Sequence, residues 1–566
     1  MTVQRRTVHL LAAGALLLVC AYALPAPQGP LAGNEATVLG ATASLWEDGD
    51  LRFDREDRVR AERWSRGDVR GPALSEGGAP GESPPVYARS LVYPLLAAPA
   101  YGVLGPRGLR VLNAALFLAA FWVAWWLVGH PRGCRRMPRS GLVLSAFFFA
   151  SAAVAHALAL TSTAFEAACV FFALALWCAV RERPVWGRRE VLPLAVAGVL
   201  AGCAFAAQPA LGLFALPPAV DLFWSRRWKA AAAFATVAAA TGLGLAYAQR
   251  TVTGDPFPGW STGPVAEHAA LNAWYLLTGR HVGLLPYFPF AVFAVGLYLV
   301  DLRRSGGRTR HLLAAALALY GLLLALRLPE AAASPAAPGL AGLAAVYPVF
   351  LFLPWRLRAG RAVLAPFLAA GLWTVPAVAG AVRPPVPEAV FELHARGATY
   401  RPLPLEATLL ARGRLPGYGR LEGAPATATE GVRAWLVPRE TFFVTERNER
   451  GVWVLGASRS EVYVVADGPL PEIRLRLGSV SADNVATLTG ADGRVVVRFD
   501  GPAKRRGTPV TIRPEPVATL DVLGDAAPER IGRFVVETSH GAVPARLNPE
   551  SSDTRYLGVF LSGSPL

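Results

Sequence analysis

Apolar residues fall in long unbroken runs up to about residue 382, and in short alternating runs after residue 430. A helix needs about 20 apolar residues to cross the hydrocarbon core of a bilayer, and about eleven runs qualify. They cover 8–24, 108–128, 141–160, 163–180, 191–207, 209–224, 229–249, 283–300, 311–328, 339–355 and 361–381. The stretch Ser90–Leu104 is shorter and holds Pro94 and Pro99, so it reads as a re-entrant or interfacial element. Beyond 430 the period changes. Val-rich runs at Val432–Val437, Val452–Leu455, Glu461–Val465, Ile473–Leu477, Arg494–Phe499, Val510–Ile512, Arg533–Glu537 and Tyr556–Leu561 are separated by Gly/Pro turn signals. Short strands so spaced predict an antiparallel β-sandwich of jelly-roll type. The expected organisation is a helical membrane domain over 1–382, a linker over 383–430 and a β-sandwich domain over 431–566.

Composition agrees. The 566 residues are 53% hydrophobic and 17% charged, with a mean hydropathy of +0.36. Disorder needs low hydrophobicity and is excluded. The net charge of +16 could suggest nucleic acid, but no basic, aromatic-interleaved patch lies in a polar segment. The charge sits instead in alternate loops: Arg5 and Arg6; Arg132, Arg135, Arg136 and Arg139; Arg181, Arg183, Arg188 and Arg189; Arg226, Arg227 and Lys229; Arg303, Arg304, Arg308 and Arg310; Arg356, Arg358 and Arg361. Basic loops stay in the cytoplasm, which places the N-terminus inside and the C-terminus outside. The run 8–24, with Ala21-Tyr22-Ala23 at its end, also has the form of a signal peptide. The sidedness of the later loops works only if it is kept as an anchor.

Three segments then face outward: 25–88, 250–282 and the tail from about 383. All five cysteines (Cys20, Cys134, Cys169, Cys178, Cys203) lie in or between the spans, so the tail is not held by disulfides. The histidines are scattered without metal-ligand spacing. Glu35, just after the first run in Gly33-Asn34-Glu35-Ala36, is placed to act as a general base at the membrane surface. It is equally placed as a first-turn acid of a helix that Asn34 caps. Asp48 and Asp50 follow in Leu45-Trp-Glu-Asp-Gly-Asp-Leu51 and read as acceptor contacts or structural acids. Glu166, beside Thr161, Ser162 and Thr163, is an ionisable residue in the end of a span, where a functional role and a plain helix-start acid both fit. Trp122, Trp125 and Trp126 read as an interfacial belt. Trp435, Trp453 and Tyr463 could stack on a sugar, but their alternating strands favour core packing. Asp467, Asp492 and Asp500 read as turn residues.

Glu35 after the first helix, the Leu45–Leu51 segment and Tyr87-Ala-Arg-Ser-Leu-Val-Tyr-Pro-Leu-Leu-Ala-Ala-Pro-Ala-Tyr101 together resemble the first exoplasmic loop of the GT-C glycosyltransferases. The similarity is to their bacterial aminoarabinose transferase and protein mannosyltransferase branch. Thr253-Gly-Asp-Pro-Phe-Pro-Gly259, Thr278-Gly-Arg-His-Val-Gly-Leu-Leu-Pro-Tyr-Phe-Pro289 and Asp553-Thr-Arg-Tyr-Leu-Gly-Val559 are similar to further segments of that family. The resemblance implies a polytopic enzyme of the bacterial inner (plasma) membrane with a periplasmic C-terminal part. It would transfer a sugar with inversion from a polyprenyl-phosphate carrier to a glycan, lipid or protein acceptor. It implies Glu35 as the catalytic base, and Tyr87, Arg89, Arg280 and His281 around the lipid phosphate. Arginine suits that place because its planar fork gives charge-assisted, bidentate hydrogen bonds to phosphate. The bland reading of the two arginines is snorkelling to the headgroups.

The chain departs from the family pattern in three places. An acidic pair is reduced to Asn34 and Glu35, which disfavours an essential divalent cation; no other cofactor is implied. The loop Ser334–Pro348 lacks Asn and Arg, and Gly-Trp-Ser-Thr-Gly-Pro follows Asp255-Pro-Phe-Pro where charged residues are expected. These losses keep open a second function, an inactive scaffold that binds a lipid-linked glycan. A glycolipid transporter fits less well, because Gln208-Pro209 and Pro217-Pro218 are the only interruptions that resemble a midplane transport site.

Overall fold

The computed structural model describes residues 33–54, 56–57, 59–60, 74–75, 86–129, 140–181, 191–258, 269–279, 283–301, 308–331, 338–353, 418–421, 431–438, 442–444, 451–499, 507–520, 529–542, 544–547 and 557–563. The expected runs 8–24 and 361–381, Arg280, His281 and most of 383–430 lie outside these residues.

The helical part runs α1 (Gly33–Glu47), α2 (Val92–Leu104), α3 (Pro106–Gly129), α4 (Ser140–Phe149), α5 (Ala153–Leu158), α6 (Thr163–Arg181), α7 (Val191–Ala207), α8 (Leu216–Trp224), α9 (Trp228–Thr253), α10 (Ala269–Thr278), α11 (Leu284–Tyr287), α12 (Pro289–Asp301), α13 (Arg308–Ala331) and α14 (Pro338–Val346). Among the described residues, four helical segments are long and apolar enough to cross a membrane: Pro106–Leu127, Thr163–Arg181, Trp228–Thr253 and Arg308–Arg327. Several other runs are broken, for local reasons. The run 141–160 divides into α4 and α5 where the Ala152 N–H leaves its own helix to donate to Tyr287 O at 3.1 Å. In 209–224 a 3-10 segment, Pro209–Ala215, precedes α8, and prolines stand at the start of both. Proline has no N–H to give to the preceding turn, so α-helical pairing restarts there. Tyr347–Phe352 is likewise a 3-10 turn begun at a proline. The stretch expected to be re-entrant is the 13-residue helix α2, with Pro99 inside it. At 1.5 Å per residue it reaches about 20 Å, short of a bilayer's hydrocarbon thickness.

The helices close on one another through small residues. A Cβ at Gly202 of α7 would stand 2.7 Å from Ala238 O and 2.8 Å from Gly242 N, both on α9. Apolar side chains gain little from meeting each other in lipid, so such backbone approach supplies the packing.

The strands of the C-terminal part are β3 (Tyr418–Leu421), β4 (Val432–Pro438), β5 (Phe442–Val444), β6 (Gly451–Leu455), β7 (Arg459–Asp467), β8 (Ile473–Ser479), β9 (Val485–Gly490), β10 (Gly493–Arg498), β11 (Thr508–Ile512), β12 (Glu515–Leu520), β13 (Glu529–Thr538) and β14 (Leu557–Gly563); β1 (Leu74–Ser75) and β2 (Val86–Tyr87) form a small ribbon after α1. All eight expected runs are strands. Four more (β3, β5, β9, β12) were not expected, and β3 lies inside the stretch read as linker. Two antiparallel sheets result, β10-β9-β13-β7-β4-β3 with β12 on β13, and β11-β8-β14-β6-β5. Trp435, Val462, Val464, Phe534 and Val536 of the first meet Val454, Leu475, Leu477 and Val559 of the second in one sandwich core.

The alternate residues of the first sheet, Ala434, Leu436, Tyr463, Val465 and Ile531, are buried too, in the apolar cluster that contains the membrane helices. This explains why β7 is buried at seven consecutive positions, Ser460–Ala466, rather than at alternate ones. Of the aromatic residues that could have faced a sugar, Trp435 stacks edge-on to Phe534 and Tyr463 is fully buried, with its hydroxyl donating to Glu461 at 2.8 Å. Trp453 packs on Phe560, with ring centroids 5.0 Å apart.

Gly202→Val forces α7 from α9 and should destabilise the helical part by about 1–3 kcal/mol. A melting temperature in detergent equal to that of the parent protein would contradict the close crossing.

Candidate active site

Polar chemistry gathers at one end of the helical part, where α1, α2, the loop before α6 and the end of α9 meet. Helix α1 begins at Gly33, so Glu35 stands in its first turn, where the helix dipole favours an acid. Glu35 is 3% exposed, and its Oε1 accepts the Leu160 N–H at 3.0 Å. Arg110, in the first turns of α3 and also buried, faces it electrostatically. Beside them Asn113 donates to Ala159 O at 2.8 Å and Thr161 O at 2.9 Å, and accepts from the Tyr93 hydroxyl at 2.8 Å. These bonds hold the loop 159–162 open, so that its Leu160 N–H points at Glu35 instead of closing a helical turn. Asn34 lies on the same helix start.

The second charged pair is Arg89 and Glu166. Arg89 follows β2 in a segment fixed on both sides. Its own N–H donates to Tyr87 O at 2.9 Å, and the Leu91 N–H donates to Gln249 Oε1 at 2.9 Å. Ser90 Oγ also donates to Gln249 Oε1. Gln249, fully buried in α9, donates in turn to Ala206 O at 3.2 Å and to Pro256 O at 2.7 Å. One amide thereby joins the start of α2, the end of α7 and the turn after α9. That turn is the Thr253–Pro258 motif. Gly254 takes a left-handed φ of 75°, and Asp255 Oδ1 accepts the Phe257 N–H at 2.8 Å. Burial pushes the Arg89 guanidinium down from its ordinary value, and the nearby Glu166 carboxylate opposes this. Glu166 Oε1 accepts the Ser162 hydroxyl at 2.7 Å.

Tyr87 lies in a separate set of contacts, with Phe53 and Asp57. It is 1% exposed, packed edge-on against Phe53, and its hydroxyl meets Asp57. Burial and then Asp57 push the phenol up. A Cβ at Gly40 would fall 2.7 Å from that hydroxyl, so α1 can lie against Tyr87 only with glycine there. Asp48 also has a structural partner. Arg60 joins Asp48, Glu47 (2.9 Å) and Asp57 (2.9 Å), and Glu47 accepts the Tyr101 hydroxyl at 2.7 Å. Burial alone would push the Arg60 guanidinium down, but the three carboxylates outweigh it and hold it up. Asp50 Oδ1 accepts the Ser44 hydroxyl at 3.2 Å and the Arg52 N–H at 3.0 Å, closing the turn after α1.

The structure therefore brings Glu35, Arg110, Arg89 and Glu166 to one end of the bundle and turns Tyr87, Asp48 and Asp50 into its supports. Arg280 and His281 lie outside the described residues. Arg110, Arg60, Asp57 and Gln249 were not anticipated. Arg110 could have been, since it is a charge inside an otherwise apolar run. A cavity of about 20 Å³ is lined by Phe117, Phe148, His156, Thr163 and Tyr347 among other apolar residues, with room for about one water. Among the described residues no three His, Cys, Asp or Glu side chains are grouped to hold a metal ion.

Neither a family model nor a curated protein matches the chain. Solved structures do. ArnT from Cupriavidus metallidurans bound to undecaprenyl phosphate matches at 12% identity over 68% of this chain and 75% of that one, with a TM-score of 0.43. The apo oligosaccharyltransferase from Archaeoglobus fulgidus matches at 13% identity over 68% of this chain and 56% of that one, with a TM-score of 0.33. The arabinosyltransferase EmbB from Mycobacterium smegmatis matches at 11% identity over 99% of this chain and 65% of that one, again with a TM-score of 0.33.

Loss of water pushes the Asp57 carboxyl from 3.8 up to about 6, against the pull of Arg60. A raised value means the folded loop prefers the neutral acid. The stability this lends is therefore full below about pH 4 and lost as the pH rises through about 6. Melting curves across this window should fall more steeply for the parent protein than for Asp57→Asn; parallel curves would contradict the assignment.

Proposed function

We propose that the chain is a membrane glycosyltransferase that moves a sugar from a polyprenyl-phosphate carrier to an acceptor on the outer face of the membrane. The observation that carries this reading is a buried carboxylate and a buried guanidinium, Glu35 and Arg89, held at the same end of an apolar helix bundle by Leu160, Asn113 and Gln249. Ionisable groups at the end of membrane helices are costly to bury, which favours a functional use for them.

In this reading the acceptor hydroxyl gives its proton to Glu35 as its oxygen attacks the anomeric carbon. The carrier phosphate leaves with the bonding electrons, and Arg89 holds the charge that develops on it. Arg110 faces this carboxylate. The Leu160 N–H on Oε1 fixes its orientation. Arg280 and His281 join the phosphate side in this proposal, and the positive-inside pattern of the loops sets the site outward. About eleven spans, with the β-sandwich on the same side as Glu35, complete the topology. The sandwich then lies where an acceptor arrives.

Glu35→Gln keeps the shape of the side chain and the bond from Leu160 but removes the base. Transfer from a labelled polyprenyl-phosphate sugar in proteoliposomes should fall by about 10²–10⁴-fold. Full activity in this variant would remove Glu35 as the base. Absence of transfer by the parent protein, with the donor bound, would favour the non-catalytic scaffold.

A further inference from the structure

The carboxylate opposite Arg89 has no part in the transfer scheme above. A free guanidinium has five N–H donors in a planar fork, and burying them without acceptors is costly. Arg89 Nε and Nη2 are both buried and meet no acceptor among the described residues. The group that acts on its charge is Glu166, in the first turn of α6. Glu166 is itself restrained by the Ser162 hydroxyl on Oε1. Tyr320 of α13 stands near the same carboxylate and contacts Gln208, beside the Ala206 carbonyl to which Ser90 and Gln249 are bound. The backbone under Arg89 cannot follow its side chain, because Leu91 and Ser90 are tied to Gln249. The site is therefore a rigidly mounted cation with buried, unused donors and one anion across from it, held by Ser162.

We propose that Glu166 is the resident counter-ion of a phosphate site at Arg89, and that a phosphate-bearing lipid binds the unused guanidinium donors there in competition with the Glu166 carboxylate. This rests on the reading of Arg89 as the phosphate contact. Phosphate fits because its oxygens match the guanidinium fork bidentately and satisfy the donors that a single restrained carboxylate leaves unused. A lipid, rather than free phosphate, fits because α2 begins three residues after Arg89 and exposes Leu95, Leu96 and Val103 along its length. These residues give an apolar surface that leads away from the charged end.

The counter-ion makes binding a competition between two anions. Removing it should strengthen phosphate binding, where a merely structural acid would weaken or leave it. Binding of undecaprenyl phosphate to the full chain in phosphatidylcholine nanodiscs should tighten by about tenfold or more in Glu166→Gln, the scale of a close charge pair. Glu166→Met, of similar length and suited to apolar surroundings, should tighten it too and serves if the amide variant folds poorly. In an Arg89→Gln background neither change should have an effect. Unchanged or weaker binding in both Glu166 variants would overturn the proposal. Inorganic phosphate forms the second arm: tightening for it alone, without the lipid, would overturn the lipid assignment. The readout is binding and not transfer, so the two readings fail separately. Tighter binding in a chain that transfers no sugar leaves the counter-ion and removes the enzyme, and sugar transfer with unchanged binding does the reverse.

Discussion

A charge carried into the apolar end of a helix bundle costs several kcal/mol unless another group answers it, and that constraint organises this protein. Glu35 faces Arg110 and Arg89 faces Glu166 at one end. At the other end the buried Asp221 meets Arg181 at 3.2 Å and Arg308 at 4.0 Å, with the Arg308 guanidinium 5.2 Å above the Trp224 ring. Helix α6 joins the two ends, having Glu166 in its first turn and Arg181 in its last. Removing one member of such a pair leaves a buried charge alone, so the pairs hold the helix ends in register.

The neutral polar groups are arranged to serve these pairs. Gln249 spends its whole hydrogen-bonding capacity on joining the segment of Arg89 to α7 and to the turn after α9. Asn113 spends its own on shaping the loop that offers Leu160 to Glu35. Arg60 gathers Glu47, Asp48 and Asp57 and so ties the end of α1 to the loop that carries Tyr87. Between them, α1 and the Tyr87–Leu91 segment lie in contact at Gly40, which links the position of the carboxylate to that of the guanidinium.

Much of the architecture was legible in the sequence because hydrophobic length and period report burial directly. The runs at 108–128, 163–180, 229–249 and 311–328 are long helices, and the eight Val-rich runs are strands. What the period could not show was where a helix gives up its own hydrogen bonds to a neighbour, as Ala152 does to Tyr287, or where a sheet is buried on both faces. Strand β9 carries Thr487 and Thr489 in a weakly apolar run, and β3 is only four residues long, so neither announces itself. At the site, Glu35, Arg89 and Glu166 were legible as charges at span ends. Their partners were not: Leu160 acts through its backbone, and Gln249 looks like the polar end of a span. Asp48, Asp50 and Tyr87 share a sequence neighbourhood with Glu35 but are turned by Arg60, Ser44 and Asp57 into supports.

The central claim is that the end of the bundle carrying Glu35 and Arg89 receives the phosphate of a lipid-linked sugar. The most direct measurement is photo-crosslinking with an undecaprenyl phosphate that carries a reactive group beside its phosphate, followed by peptide mapping of the intact chain in membranes. Labelling should fall on the segments around Arg89 and Glu166 and be competed by unlabelled undecaprenyl phosphate. Competed labelling confined to the opposite end, around Arg181, Asp221 and Arg308, would contradict it.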